Sequence, residues 1–188
     1  MFRIACFCGM AYASATSLAF GDVGATFKVG TQLPDELNQQ TNGLGRIVLS
    51  TSLYRAIGLE FENANLIPHR KEKKLYSLEF LHVGYSIESS LGPGSLTTTA
   101  VLANRKWNLM YSNSLMPYFC VGAGLLFSTL HFNDAKQDVS LALQGTAGIE
   151  LKLRYTRYLQ GEVKYFRGEA NSISINGAGV FIGYRVDF

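Results

Sequence analysis

The feature that most constrains this chain is a strict alternation of apolar and polar side chains over residues 139–155. Successive side chains of a β-strand point to opposite faces, so this period of two predicts a single strand with one apolar face. The run is far longer than the usual strand of about 5–6 residues. The apolar or small face is Val139, Leu141, Leu143, Gly145, Ala147, Ile149, Leu151, Leu153 and Tyr155, and the other is Ser140, Ala142, Gln144, Thr146, Gly148, Glu150, Lys152 and Arg154.

The same period recurs through most of the chain beyond residue 19. Further runs lie near residues 24–31, 46–53, 57–65, 76–88, 96–107, 119–128, 159–165 and 177–188, separated by clusters of Gly, Asn, Asp, Ser and Pro. Hydrophobic residues make up 47% of the 188 residues and charged residues 16%, yet no stretch reaches the roughly 18 apolar residues of a membrane helix. Because the apolar residues are dispersed by alternation, we predict an all-β chain.

Long strands with one apolar and one polar face fit a barrel that has lipid on its outside. The barrel must close, because an open sheet edge would leave unpaired amides in hydrocarbon. We therefore predict a closed antiparallel transmembrane β-barrel of eight strands, with ten as the alternative. The nine runs conflict with an even strand number. Either residues 24–31 lie outside the ladder, or residues 57–65 are not an independent crossing.

Residues 1–19 are predicted to be a secretory signal peptide, and residues 20–188 the barrel domain. Arg3 supplies a positive start, residues 4–18 are apolar or small, and Ser17 and Ala19 suit a cleavage site. A buried first strand or helix is the alternative. Cys6 and Cys8 would leave with the signal, so that the mature chain keeps Cys120, which we expect to be a small core residue.

Charged residues at the predicted inward positions carry both signs and can pair across the lumen. Paired charges are tolerated where a lone buried charge is costly, and eight strands leave an interior just wide enough for side chains. We therefore predict a plugged barrel, and a small channel is the alternative. The predicted lumen residues are Lys28, Arg46, Glu60, Glu62, Arg105, Glu150, Lys152, Arg154, Glu162, Lys164, Arg185 and Asp187.

Aromatic residues gather near the predicted strand ends, where they would form a girdle at one membrane interface. They are Tyr54, Trp107, Tyr111, Tyr118, Tyr155, Tyr158 and Phe188. On the last strand, Tyr184, Val186 and Phe188 share the apolar face, and the sequence ends on the last of them. We expect this strand to pair with the first.

Four segments resemble the opacity-protein and outer-membrane-protein-A-like family of small barrels: residues 117–124 (PYFCVGAG), 147–152 (AGIELK), 162–166 (EVKYF) and 183–188 (GYRVDF). The likeness covers residues 115–188 well and residues 20–114 in pattern. The resemblance implies a bacterial outer membrane location, surrounded by lipid that includes lipopolysaccharide. It also implies that Tyr184, Val186 and Phe188 mark the chain for the outer-membrane assembly machinery.

Candidate catalytic groups do not occur at a recognisable spacing, so we predict no enzyme activity, no cofactor and no metal. Barrel-shaped lipid A deacylases carry His-x-Ser-Asn on the penultimate strand, whereas the matching residues 165–171 (YFRGEAN) lack both His and Ser. Of the three histidines, we expect His82 to pack inside, His131 to lie at a loop mouth, and His69 to lie in a basic run. A lipid-modifying acyl hydrolase is the enzymatic alternative, and a soluble lipocalin-like barrel is the non-membrane one.

We predict a structural or surface-interaction role. A net charge of +3 is too small to imply a nucleic-acid partner. A host or surface ligand would bind the loops near residues 32–43, 89–95, 132–137 and 168–176. The basic run at residues 69–74 (HRKEKK) would meet lipid phosphates if it faces outward, and the sequence leaves its side of the membrane open.

Overall fold

The computed structural model describes residues 23–34, 38–41, 45–49, 54–65, 74–89, 92–109, 114–131, 135–170 and 173–188. These residues form ten strand segments: β1 (Val23–Pro34), β2 (Asn38–Thr41), β3 (Gly45–Leu49), β4 (Tyr54–Asn65), β5 (Lys74–Ser89), β6 (Gly92–Asn108), β7 (Leu115–His131), β8 (Ala135–Arg154), β9 (Arg157–Ala170) and β10 (Ile173–Asp187). Within these ranges, no helix is long and apolar enough to cross a membrane.

Eight of the described segments close into a ring of antiparallel neighbours in the order β1, β4, β5, β6, β7, β8, β9 and β10, with β10 pairing back to β1. The predicted closed eight-stranded barrel is confirmed. Its stagger can be read by following paired residues once around the ring: Gly24, Glu62, Ser77, Asn104, Gly122, Gln144, Phe166, Gly177 and Pro34. The path returns to β1 ten residues further on (34 − 24), a shear that requires strongly tilted strands.

The remaining segments, β2 and β3, extend the first hairpin rather than adding crossings. Val23 pairs with Asn63. Asn38, which is 15 residues after Val23, pairs with Val48, which is 15 residues before Asn63, so β2 and β3 keep the register of β1 and β4. The predicted run that is not a crossing of its own is therefore residues 46–53, of which the described residues 46–49 lie in β3. Both predicted explanations for the odd count are wrong, since residues 24–31 lie in β1 and residues 57–65 in β4, each paired on both sides. The ten-strand alternative is also wrong.

The two ends of the barrel differ in what they hold. The terminal end is where β1 begins and β10 ends, and the distal end is opposite. β4 ends and β5 begins at the terminal end, and of the basic run at residues 69–74 only Lys74 lies within the described residues. The described parts of the four predicted ligand loops lie at the distal end and are largely strand, as with β6 beginning at Gly92 and β8 at Ala135.

Side chains alternate between the outside and the lumen as predicted for β8. Leu143 is 55% exposed and its neighbour Gln144 is 6% exposed. The outside carries an apolar belt, the arrangement of a barrel with lipid around it and the reverse of a lipocalin-like interior. The belt includes Phe27, Val29, Ile57, Leu59, Phe61, Leu78, Phe80, Val121, Leu125, Ile149, Val163, Tyr165, Val180 and Ile182.

The lumen has two differently filled halves. The terminal half holds charged side chains, which form the candidate site described below. The distal half holds an apolar core of Tyr54, Ala56, Leu81, Val83, Tyr85, Leu96, Ala100, Leu102, Leu126, Leu130, Ala142, Phe166, Ile175 and Phe181. The sequence did not predict this core.

The predicted aromatic girdle is correct for some of its members and wrong for others. Trp107 is on the outer face at the terminal end, stacked on Phe119 with ring centroids 4.6 Å apart. In contrast, Tyr54 lies inside the distal half against Tyr85, with centroids 5.0 Å apart, and Tyr118 is buried in the lumen. Tyr111 lies outside the described residues.

Candidate functional site

The candidate site is a network of buried charges in the terminal half of the lumen. Seven of the eight barrel strands supply its charges and β7 supplies Tyr118, because the alternation brings every second side chain inward. We distinguish a central cluster of Lys28, Glu60, Glu79, Glu162 and Lys164 from a terminal cluster of Glu62, Lys106, Glu150, Arg185 and Asp187. All of these side chains except that of Asp187 are nearly excluded from solvent.

Lys28 is the hub of the central cluster. Its Nζ lies 2.8 Å from a carboxylate oxygen of Glu162 and 3.6 Å from one of Glu79, and it forms a close ion pair with Glu60. Lys164 forms a second close ion pair with Glu79. Among the described residues the central cluster thus has two lysines for three carboxylates.

Neutral side chains supply the remaining hydrogen bonds of the central cluster. Gln144 Nε2 donates to Glu79 Oε2 at 2.5 Å and to Asn104 Oδ1 at 2.7 Å. Asn104 Nδ2 donates to the same Glu79 oxygen at 3.0 Å, and the Tyr118 hydroxyl donates to Glu162 at 2.9 Å. Such donors are what allow a surplus carboxylate to stay in a buried site.

The terminal cluster also has two cations for three carboxylates among the described residues. Lys106 Nζ lies 3.1 Å from Glu62 and forms a close ion pair with Glu150. Arg185 forms a close ion pair with Glu62 and lies 3.3 Å from Glu150 and 2.6 Å from Asp187. The Asp187 side chain is 20% exposed, so this last pair sits at the mouth of the barrel.

Tyr118 separates the two clusters and also connects them. The Lys106 ammonium lies over its ring, with Nζ 4.1 Å from the ring centroid. Its hydroxyl donates a hydrogen bond to Glu162. The ring needs the space left by its cross-strand partner Gly148, where a β-carbon would lie 2.5 Å from Tyr118 Cζ. A glycine on the inner face therefore makes room for an aromatic ring in a narrow lumen.

Most of the predicted lumen residues are brought together by the fold. Lys28, Glu60, Glu62, Glu150, Glu162, Lys164 and Arg185 are buried and paired, and Asp187 pairs at the mouth. The prediction missed Glu79 and Lys106, both of which are central to the pairing. Because Asn104 faces the lumen, strict alternation along β6 places Lys106, two residues further on, in the lumen as well.

Three predicted lumen residues are wrong. Arg105 faces outward over Trp107, because Asn104 and Lys106 occupy the inward positions of β6. Lys152 and Arg154 are exposed, because β8 runs past the barrel wall beyond Glu150 and is irregular between them. Arg46 lies in β3, and its side chain is outside the described residues.

The histidines show no catalytic arrangement in the described part of the chain. His82 is exposed on the outer face, so its predicted interior packing is wrong, and its Nδ1 lies 2.9 Å from Thr99 Oγ1. His131 is exposed at the distal end of β7, as expected, whereas His69 lies outside the described residues. Over the described residues, no group of three or more His, Cys, Asp or Glu side chains is placed to hold a metal ion. Cys120 is a buried free thiol, as predicted.

The chain resembles known proteins in its fold and not in its sequence. No protein-family model matches the sequence, and no curated protein matches it. The solved structures that resemble it as folds include Neisserial surface protein A (TM-score 0.61, 12% identity, covering 89% of this chain and 97% of that one), OprG from Pseudomonas aeruginosa (0.58, 16%, 90% and 96%) and the attachment invasion locus protein Ail of Yersinia pestis (0.55, 13%, 88% and 99%). The barrel fold is thus that of small bacterial outer membrane proteins, in agreement with the predicted location.

Proposed function

We propose that this protein is an outer membrane barrel with a structural or surface-interaction role, and that it neither conducts nor catalyses. The observation that carries the proposal is the filled lumen. Lys164 and Phe181 are each 1% exposed where the charged and apolar halves meet, and Leu96 is fully buried near the distal end. An interior packed in this way supports a rigid surface scaffold better than a pore.

The likeness of residues 115–188 supports the opacity-protein and outer-membrane-protein-A-like kind of barrel. Barrels of this type place short turns in the periplasm and their longer loops outside the cell. On that orientation the terminal end is periplasmic, and the distal end is presented at the cell surface.

The main test combines assembly with conductance. The protein should fractionate with the outer membrane, migrate differently on gels before and after boiling, and leave a planar lipid bilayer at its baseline current. Reproducible single-channel steps from the purified barrel would contradict the filled-lumen proposal. Recovery of the folded chain in the soluble fraction would contradict the membrane placement.

The surface-interaction part can be tested with a defined probe. Ail was crystallised with the heparin analogue sucrose octasulfate, and this chain exposes Arg55, Lys136 and Arg167 towards its distal end. Sucrose octasulfate binding that weakens in Arg55→Gln and Lys136→Gln, but not in the terminal-end variant Lys152→Gln, would support a polyanion-binding surface. Equal binding by all three variants would remove that support.

Two export features are part of the same proposal. Residues 1–19 act as a signal peptide, so the envelope form begins at Phe20, which an intact-mass measurement checks. Tyr184 and Phe188 are exposed, and with Val186 they form the signal for the assembly machinery. Deleting Phe188 should lower the amount of heat-modifiable barrel sharply while export continues. A normal level of assembled barrel would exclude that role for Phe188.

A further inference from the structure

The outer wall of the barrel carries a groove across strands β5 to β8. Its volume is about 600 Å³, and it is lined on the outer face by Tyr76, Ala103, Arg105, Val121, Ala123 and Leu143. This volume falls within the range of about 300–1,000 Å³ that is usual for small-molecule sites. The groove therefore has room for part of a lipid molecule.

Small side chains create the groove. Ala103 and Ala123 are cross-strand partners, and Ala123 also pairs with Leu143. Gly145 lies nearby on β8, where an added β-carbon would meet nothing within 4 Å. Larger side chains of the belt, among them Val121 and Leu143, flank this row of small residues, so the wall is recessed along it.

A cation lies on the terminal side of this groove. Arg105 is three residues from the end of β6 (108 − 105). Its guanidinium carbon lies 4.7 Å from the Trp107 ring centroid. Its Nε is buried and has no hydrogen-bond partner. A cation facing lipid costs about 2–4 kcal/mol at the bilayer midplane and much less near the interface. This position near the aromatic side chains of the terminal end is where lipid phosphates come within reach of an arginine.

We propose that the groove binds one anionic glycerophospholipid, with its phosphate against Arg105 and one acyl chain along Ala103 and Ala123. The arginine supplies the charge that complements the headgroup, and the alanines supply an apolar channel for the chain. This site goes beyond the proposed function and requires only that the barrel is folded in a bilayer. Heat-modifiability checks folding separately, so failure of the site and failure of membrane insertion give different results.

The chain contains its own reporter for the test. Trp107 is the single tryptophan, and it lies directly under Arg105. The purified barrel is folded into phosphatidylcholine vesicles that contain a small fraction of a lipid with brominated acyl chains, since bromine quenches tryptophan fluorescence on contact. The probe lipid is brominated phosphatidylglycerol in one series and brominated phosphatidylcholine in the other. The ratio of the two quenching constants measures the preference for the anionic lipid.

For the unmodified barrel we expect phosphatidylglycerol to quench about fivefold more strongly than phosphatidylcholine at equal fractions. Arg105→Gln should bring this ratio to about one, whereas Arg105→Lys should retain part of it. The matched control is Arg157→Gln, an exposed arginine at the terminal end of β9 and outside the groove, which should leave the ratio unchanged. Using the ratio within one variant removes the direct effect of the lost guanidinium on Trp107 emission.

A second pair of variants tests the acyl channel. Ala123→Leu fills the groove and should reduce quenching by both lipids, while Ala178→Leu, on the outer face of β10, should not. A ratio near one for the unmodified barrel, or an unchanged ratio in Arg105→Gln, overturns the phosphate site. Normal quenching in Ala123→Leu overturns the groove as its location. Quenching that falls as protein is added at constant lipid, together with a cross-linked dimer, assigns the groove to a second copy and overturns the proposal.

Discussion

The two halves of the barrel are patterned in opposite senses. In the terminal half of β5, Glu79 points into the lumen and Phe80 points outward. A few residues further on the order is reversed, with Val83 and Tyr85 inside and Ser86 outside. The apolar face of one strand therefore changes sides in mid-strand.

Other strands reverse in the same way towards the distal end. The outward residue is polar and the inward neighbour apolar at Arg55 and Tyr54, Thr97 and Leu96, Thr129 and Leu130, Arg167 and Phe166, and Asn176 and Ile175. Apolar side chains turn away from water and face lipid where lipid is present. The reversal is what we expect if the terminal half spans the bilayer and the distal half stands above it with a core of its own. In β8, Val139 and Leu141 stay apolar outside, so there the belt reaches further.

The largest effect should come from removing the hub of the charged half. Lys28→Met keeps most of the side-chain volume but leaves Glu60 and Glu162 without their ammonium partner. Breaking a buried ion pair from one side costs about 3–5 kcal/mol. Denaturant unfolding from vesicles, followed by Trp107 fluorescence, measures the loss. The control Lys152→Met changes an exposed lysine and should stay within about 0.5 kcal/mol of the unmodified barrel. A similarly small effect for Lys28→Met would mean that the network does not hold the terminal half together.

A slightly smaller effect is expected in the apolar half. Leu126 is 1% exposed, and Leu126→Ala leaves a cavity worth about 3 kcal/mol. Leu141→Ala is the matched control, because Leu141 is 76% exposed and surrounding lipid or detergent can fill the space that it leaves. If the two truncations cost the same in the unfolding titration, the distal half has no packed core of its own.

The same comparison explains what the sequence could predict. In β8 the outside stays apolar along the whole wall, so a single phase fits all of it, and Leu143 and Gln144 are placed correctly. In β6 the apolar side chains face the lumen at Leu96, whereas the charged Lys106 faces it further along the strand. An alternation that keeps apolar residues on the outside along the whole strand therefore places Arg105 in the lumen, which is wrong. The interrupted alternation in the sequences of β5 and β6 therefore reflects this change of sides rather than weak strand propensity.

The wrong lumen assignment of two β8 residues and the wrong explanation of the strand count have different causes. Alternation along a strand assigns each residue to a face, but it does not show where the barrel wall ends. It therefore predicts Lys152 and Arg154 to be lumen residues, although β8 projects past the barrel at these positions. Strand counting from separate runs also misses continuity, because the shared register of β2 with β3 and of β1 with β4 depends on pairing between distant residues. Alternation is a local property, whereas registry and wall height depend on neighbouring strands.

Adjacent positions in β8 should separate the two faces. Leu143→Arg places a cation against lipid, whereas Gln144→Arg brings a third cation towards the three carboxylates of the central cluster. We expect Leu143→Arg to lose about 2 kcal/mol more than Gln144→Arg in the same vesicle titration. The opposite order would show that the central cluster does not accept another positive charge, and that the surplus carboxylate is satisfied by its hydrogen bonds alone.

The smallest effect should come from the mouth of the charged half, where the network meets water. The Asp187 carboxylate lies 2.6 Å from Arg185, and its side chain is 20% exposed. Without the Asp187 carboxylate, Arg185 still has its ion-pair partners Glu62 and Glu150. Asp187→Asn should therefore cost about 0.5 kcal/mol, as solvent-exposed pairs do. The Debye length falls to about 3 Å in 1 M salt, so sodium chloride should abolish this cost. The cost of Lys28→Met should persist in 1 M salt, because its carboxylates are sealed from solvent. Equal salt sensitivity for both variants would mean that ions enter the terminal half, in which case the charged half is a hydrated passage and not a plug.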